Sequence, residues 1–177
     1  MRLFVAAELP DGVLDALVET QAALRECVTG RYVAPDSLHV TLAFLGSVDA
    51  SRVPAIADAL DDACAGLASF NVTTTGLGSF GRRAQATLWQ GFGTSDEFTH
   101  LAQCVRKELT DRGFSFDSKT FLPHVTLMRK ADIRSGVLPM PSIASGAIST
   151  VTLFKSDLSG PYPVYEPLHR VVLAESA

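Results

Sequence analysis

His39-Val40-Thr41-Leu42 and His124-Val125-Thr126-Leu127 are one phrase used twice, 85 residues apart (124 − 39). Two of the chain's four histidines stand in this identical setting. Imidazole titrates near pH 6.5, so of two rings facing one cleft, one can give a proton while the other takes one at the same pH. Cleaving a P–O bond needs both: a base to activate water and an acid to protonate the departing oxygen. Rings on opposite sides of phosphorus would suit in-line displacement, each contributing about 10²–10⁴-fold. Thr41 and Thr126 share a strand face with their histidines and offer hydroxyls to the non-bridging oxygens. Arg129 lies three residues beyond Thr126, so strict alternation sends it to the opposite face. It joins an anion site only if the strand twists or ends there.

Other readings of these residues are weaker. A single H-x-T in a strand suits a structural histidine, but two copies in matching contexts do not. Two histidines leave a catalytic zinc one protein ligand short, and Asp36 is the only Asp, Glu or Cys within four residues of either copy. No metal and no cofactor is therefore expected. Phe4, Phe44 and Trp89 read as core rings, although Phe4 or Phe44 near the groove could stack a base. His100 reads as helix surface, His169 as rim, and Arg82-Arg83 as a solvated loop pair.

Elements must hold the two phrases in one cleft. Each is rich in β-branched and aliphatic residues and bounded by breakers, as a short strand is. Helical spacing of apolar residues predicts helices over 13–28, 51–66 and 95–112, the last with Ser95 as N-cap and Gly113 closing it. Further strands are expected at 2–9, 31–33, 70–75, 87–91, 148–155 and 170–174, with a Gly-rich loop at 76–83 and a polar loop at 131–145. Three helices among roughly eight strands imply an α+β domain. The repeat reads as a duplicated half rather than a solenoid, which needs at least three repeats. The expected architecture is two antiparallel-rich sheets facing a central groove, helices outside, and two lobes related by a pseudo-two-fold within a single domain, 1–177.

Composition bounds the partners. An apolar fraction of 47% with 19% charged residues excludes disorder. A net charge of −4 argues against a broad non-specific nucleic-acid surface but allows a compact site for one phosphate and its neighbours. No apolar run reaches the roughly 18 residues that span a bilayer, and Glu8 comes too early for a signal peptide. Cys27, Cys64 and Cys104 lack metal or redox spacing and read as buried thiols in helices. A cytoplasmic monomer is expected.

At these residues the chain resembles the two-histidine (2H) phosphoesterases, specifically the RNA 2′,3′-cyclic phosphodiesterases historically named 2′-5′ RNA ligases. The likeness runs through Arg2–Ala6, Arg31–Val33 with His39–Gly46, Gly76–Phe80 with Thr87–Trp89, Leu122–Arg129, and Ser156–Gly160 with Tyr165 and Leu168. It implies metal-independent hydrolysis of a terminal 2′,3′-cyclic phosphate on RNA, leaving a 2′-phosphate. It also implies His39 as proton donor to the leaving 3′ oxygen, His124 as the base that activates water, and Thr41, Thr126 and Arg129 as phosphate ligands. Met128 departs from the family's usual small residue; alternation puts it beside Thr126, where it would narrow the groove. Two alternatives stay open: a 2′-5′ RNA ligase or a phosphodiesterase on 2′-5′ linkages or on a small cyclic nucleotide, using the same residues, and a non-catalytic RNA-end-binding protein. The second has no need of paired histidines.

Overall fold

The computed structural model describes residues 1–176. In chain order the elements are β1 (Arg2–Ala7), α1 (Asp11–Arg25), β2 (Arg31–Tyr32), β3 (Val40–Ser47), α2 (Val53–Cys64), β4 (Phe70–Phe80), β5 (Ala86–Phe92), α3 (Asp96–Asp111), β6 (His124–Ala131), β7 (Ser145–Ile148), β8 (Thr150–Asp157) and β9 (Val164–Val172). They form two sheets, β3-β1-β8-β9 and β2-β6-β5-β4-β7, in which every neighbouring pair is antiparallel. Set β2 aside and the two orders match strand for strand. The motif strands β3 and β6 occupy equivalent places, each paired with the strand that precedes its half's helix, β1 or β5. The expected α+β architecture is what the chain adopts.

The halves are tied by exchange. Helix α1 packs toward β7 of the second sheet, and α3 packs against β3 of the first. Both present apolar stripes at helical spacing: Val13, Leu17 and Leu24 on α1, and Phe98, Leu101, Val105 and Leu109 on α3, all 1% exposed or less. Each such burial is worth roughly 1.5–3 kcal/mol. Ser95 caps α3 by accepting the Phe98 N–H at 3.1 Å, and Gly113 ends it at a φ of +76°. Strand β2, from the first half, pairs with β6 of the second sheet.

Three expectations need correction. The predicted loop at 76–80 is the distal part of β4. One of its glycines serves a ring, not a turn: Gly78 pairs with Trp89, and a Cβ there would lie 2.3 Å from the indole. Strand β9 begins at Val164 rather than at 170, running through Pro167. It is the edge strand of its sheet, where a missing N–H is tolerated. Only Cys64 is a buried thiol; Cys104 is half-buried, and Cys27 is exposed beyond the end of α1.

Candidate active site

Both motif strands contain the same irregularity at the same residue. On β3, Ala6 pairs with Thr41 and Val5 with Ala43, so Leu42 is extra; on β6, Trp89 pairs with Thr126 and Leu88 with Met128, so Leu127 is extra. A bulge adds one residue and slips the two-residue alternation by one. Leu42 and Ala43 are consequently both buried, as are Leu127 and Met128. The next residues, Phe44 and Arg129, swing to the cleft side. Strict alternation placed Arg129 on the far face and Met128 on the near one. The bulge reverses both. Met128 has no exposed surface and does not narrow the groove; its Cε packs toward Gly30.

The carbonyl of each extra leucine takes a side-chain donor from the helix of the other half, and that of Leu127 also accepts the Val33 N–H at 3.0 Å. Gln21 of α1, only 2% exposed, donates Nε2 to the Leu127 carbonyl at 3.1 Å and to the Val33 carbonyl at 2.8 Å. Arg106 of α3 donates Nε to the Leu42 carbonyl at 2.9 Å and a terminal nitrogen to the Lys119 carbonyl at 2.8 Å.

The histidines are held alike. Nδ1 of His39 donates to the Ser37 carbonyl at 2.7 Å, and Nδ1 of His124 donates to the Leu122 carbonyl at 2.6 Å. A carbonyl only accepts, so each Nδ1 carries hydrogen and each Nε2 is left for chemistry. His39 Nε2 lies 3.0 Å from the Thr41 hydroxyl, which breaks the symmetry, as no such bond joins His124 to Thr126 among the described residues. His39, Thr41, His124, Thr126, Arg129 and Tyr165 border one cavity.

Aromatic rings wall both imidazoles. Phe4 lies 4.8 Å from His39 and Tyr165 stands edge-on to it at 5.5 Å; Phe80 and Trp89 flank His124 at 5.3 and 5.6 Å. Phe4 is 4% exposed beneath His39, Phe154 and Tyr165, so it buttresses the ring and has no face left to stack a base. Trp89, expected in the core, is half-buried in the site wall. Phe44 and exposed Phe80 border a second hollow that shares Thr41 and His124 with the first. Sequence reasoning did not single out Phe80 or Tyr165 as site residues, nor Gln21 and Arg106 behind them. The 85-residue offset that relates Gln21 to Arg106 was the one available signal.

Burial pushes the His39 imidazole down to about 4, against the opposing pull of the Ser37 carbonyl and helped by the nearby positive charges of Arg129 and His124. In the free protein at pH 7 this ring is neutral. The remaining polar candidates are structural. His169 Nε2 bonds Asp61 at 2.7 Å, exposed His100 lies 3.6 Å from Cys104 sulfur, and Arg83 donates to the Ile133 carbonyl at 3.2 Å.

This arrangement can be set against known proteins. A family described as LigT-like phosphoesterase matches residues 8–89. The RNA 2′,3′-cyclic phosphodiesterase of Thermus thermophilus is 32% identical, covering 98% of this chain and 90% of its own. That of Escherichia coli K12 is 30% identical, covering 98% and 97%. The chain belongs to the RNA 2′,3′-cyclic phosphodiesterase family. The crystal structure of E. coli LigT complexed with 3′-AMP superposes with a TM-score of 0.83 at 29% identity, covering 98% of each chain. A crystal structure of a Thermus thermophilus protein gives the same TM-score, 0.83, at 27% identity over the whole of both chains. The family match stops at Trp89, short of the second phrase, but these LigT-like relatives span both.

Proposed function

We propose that the chain hydrolyses the 2′,3′-cyclic phosphate at an RNA end to a 2′-phosphomonoester, using its two histidines as acid and base. One observation carries this reading: two imidazoles, each with Nδ1 tied to a carbonyl, border one cavity together with an arginine. His124 Nε2 takes a proton from water, whose oxygen attacks phosphorus. The P–O3′ bond breaks opposite the incoming water, and His39 Nε2 delivers a proton to the 3′ oxygen. Arg129, with five N–H donors, and the Thr41 and Thr126 hydroxyls hold the non-bridging oxygens.

The donor must carry a proton that free His39 lacks at neutral pH. The anionic phosphate supplies the reason to take one up, because a negative charge beside the ring favours its protonated form against the desolvation that chiefly lowers its pKa. The bond from Thr41 to His39 Nε2 supports unequal roles, since it leaves His124 as the ring whose Nε2 is free to meet water.

Residues 1–177 act as one domain on this reading, supported by β2 pairing across the halves and by the exchange of Gln21 and Arg106. Three free cysteines suit a reducing compartment and support a cytoplasmic placement. Among the described residues no helix is long and apolar enough to cross a membrane. The test is a short RNA ending in 2′,3′-cyclic phosphate, incubated with EDTA and analysed for product. Conversion to the 2′-phosphate with a free 3′-hydroxyl is expected; an unchanged substrate, or a 3′-phosphate product, would overturn the proposal.

A further inference from the structure

Arg31 and Arg129 stand directly opposite each other on β2 and β6, in register, and both are exposed. Like charges so placed destabilise a strand pair. A sheet that keeps them usually screens them with a carboxylate, yet among the described residues every ion pair involves other groups. The pair therefore presents uncompensated positive charge on a chain whose net charge is −4.

Its surroundings say what the charge is for. Arg31 and Arg129 border a cleft with Tyr32, Tyr162 and Tyr165. That cleft opens beside the reaction cavity, with which it shares Val33, Ser37, Arg129 and Tyr165. Tyr162 is 68% exposed, a ring without cover. Arg25 adds a third cation, its guanidinium 4.1 Å above the Tyr32 ring. Guanidinium beside an uncovered aromatic face, here that of Tyr162, is the combination that grips single-stranded nucleic acid, the cation taking a phosphate and the ring a base. On the far side of the histidines the hollow is lined by Phe44, Phe80, Phe121 and Leu122 with two cations that are already engaged, Arg106 by the Leu42 and Lys119 carbonyls and Lys119 by Asp117 at 3.6 Å, a poorer path for a phosphate chain.

We propose that Arg31, with Tyr162 and Tyr165, forms a second nucleotide subsite that holds the phosphodiester and base immediately 5′ of the reacting nucleotide. Directly opposed strand residues have Cα atoms about 4.5–5.5 Å apart, so two long arginines can reach adjacent phosphates of one strand, Arg129 the cyclic ester and Arg31 the next. The substrate class is then an RNA end of two or more nucleotides rather than a mononucleoside cyclic phosphate. The inference rests on the proposed hydrolysis and deepens it.

The experiment compares kcat/KM for a dinucleotide and a mononucleotide, both ending in 2′,3′-cyclic phosphate, in the parent protein, Arg31→Gln and Tyr162→Ala. A charge-assisted contact predicts that the parent favours the dinucleotide about 10- to 100-fold. Arg31→Gln should collapse that ratio toward one and flatten its salt dependence by roughly 0.7 per lost phosphate contact on a logarithmic scale; Tyr162→Ala should lower it in part. A ratio near one in the parent, or a ratio untouched by Arg31→Gln, overturns the subsite. Calorimetric binding of the 2′-phosphate products separates the two layers. Tighter binding of the dinucleotide product, lost in Arg31→Gln, upholds the subsite even if neither ester turns over, a result that would sink the hydrolase reading alone.

Discussion

Gln21 and Arg106 stand 85 residues apart and do the same work from opposite sides of the molecule. Each donates to the carbonyl of the leucine that closes an H-V-T-L phrase, Leu127 at 3.1 Å and Leu42 at 2.9 Å. The helix of one half thereby holds the bulge in the catalytic strand of the other. The bulge in turn sets which residue follows the threonine into the cleft, Arg129 in one copy and Phe44 in the other. The duplication is thus a mutual brace, and the arginine depends on a glutamine far from it in sequence.

Gln21→Leu should both destabilise the protein and slow it. The Val33 carbonyl loses its side-chain donor and the Leu127 carbonyl keeps only the Val33 N–H, and one unsatisfied buried group costs about 1–3 kcal/mol. Urea unfolding should show a loss of about 1–3 kcal/mol. A full-strength kcat in the folded variant would mean that the bulge does not position Arg129. Arg106→Lys should behave alike at the other strand, because a single ammonium does not reproduce the fork that serves Leu42 and Lys119.

The half-buried His39, its pKa lowered by desolvation, should make the fold acid-sensitive. Its pKa is about 4 folded against 6.5 in the unfolded chain, so between these values the unfolded state binds more protons. Stability is fully present above pH 6.5 and falls as pH drops toward 4, by about 3 kcal/mol from this one group. Denaturation at pH 7 and pH 4 should show His39→Asn losing about 3 kcal/mol less than the parent over the same interval. Equal losses would place His39 in water.

Ligand binding should draw a proton onto His39. Inorganic phosphate or a 2′-nucleotide titrated at about pH 5.5–6.5, in buffers of different ionisation enthalpy, should give an uptake approaching one proton, lost in His39→Asn. No uptake would leave His39 neutral in the complex and remove it as the donor.

Trp89 offers a local reporter, being the only tryptophan and standing 5.6 Å from His124. Gly78→Ala drives a methyl against the indole, where 2.3 Å separates the two positions, and such overpacking costs about 1–3 kcal/mol. The emission maximum should shift and the activity fall. An unchanged spectrum with intact activity would show that the ring does not brace His124.

Much of this was legible beforehand. The repeated phrase marked two strands, His124 standing at the start of one and His39 one residue ahead of its counterpart, and helical spacing located α1, α2 and α3 to within a few residues. What escaped was set by partners distant in the chain. Leu127 looks like any strand leucine, and nothing local announces that it is extra, so Arg129 and Met128 were assigned to each other's faces. Phe4 is an ordinary strand aromatic until Tyr165 and Phe154 close over it. Gly78 resembles a loop residue unless Trp89 is known to lie across it. Pro167 reads as a stop, although an edge strand accommodates it.

The division of labour between the histidines is tested most directly by changing the leaving atom. His39→Ala and His124→Ala are assayed on an RNA 2′,3′-cyclic phosphate and on its analogue with sulfur at the 3′ position, whose thiolate departs without a proton. On the oxygen ester both variants should fall at least about 10²-fold. On the sulfur ester His39→Ala should recover most of its rate, and His124→Ala should not. Rescue of His124→Ala instead would reverse the roles, and undiminished activity of both variants on the oxygen ester would contradict two-histidine catalysis altogether.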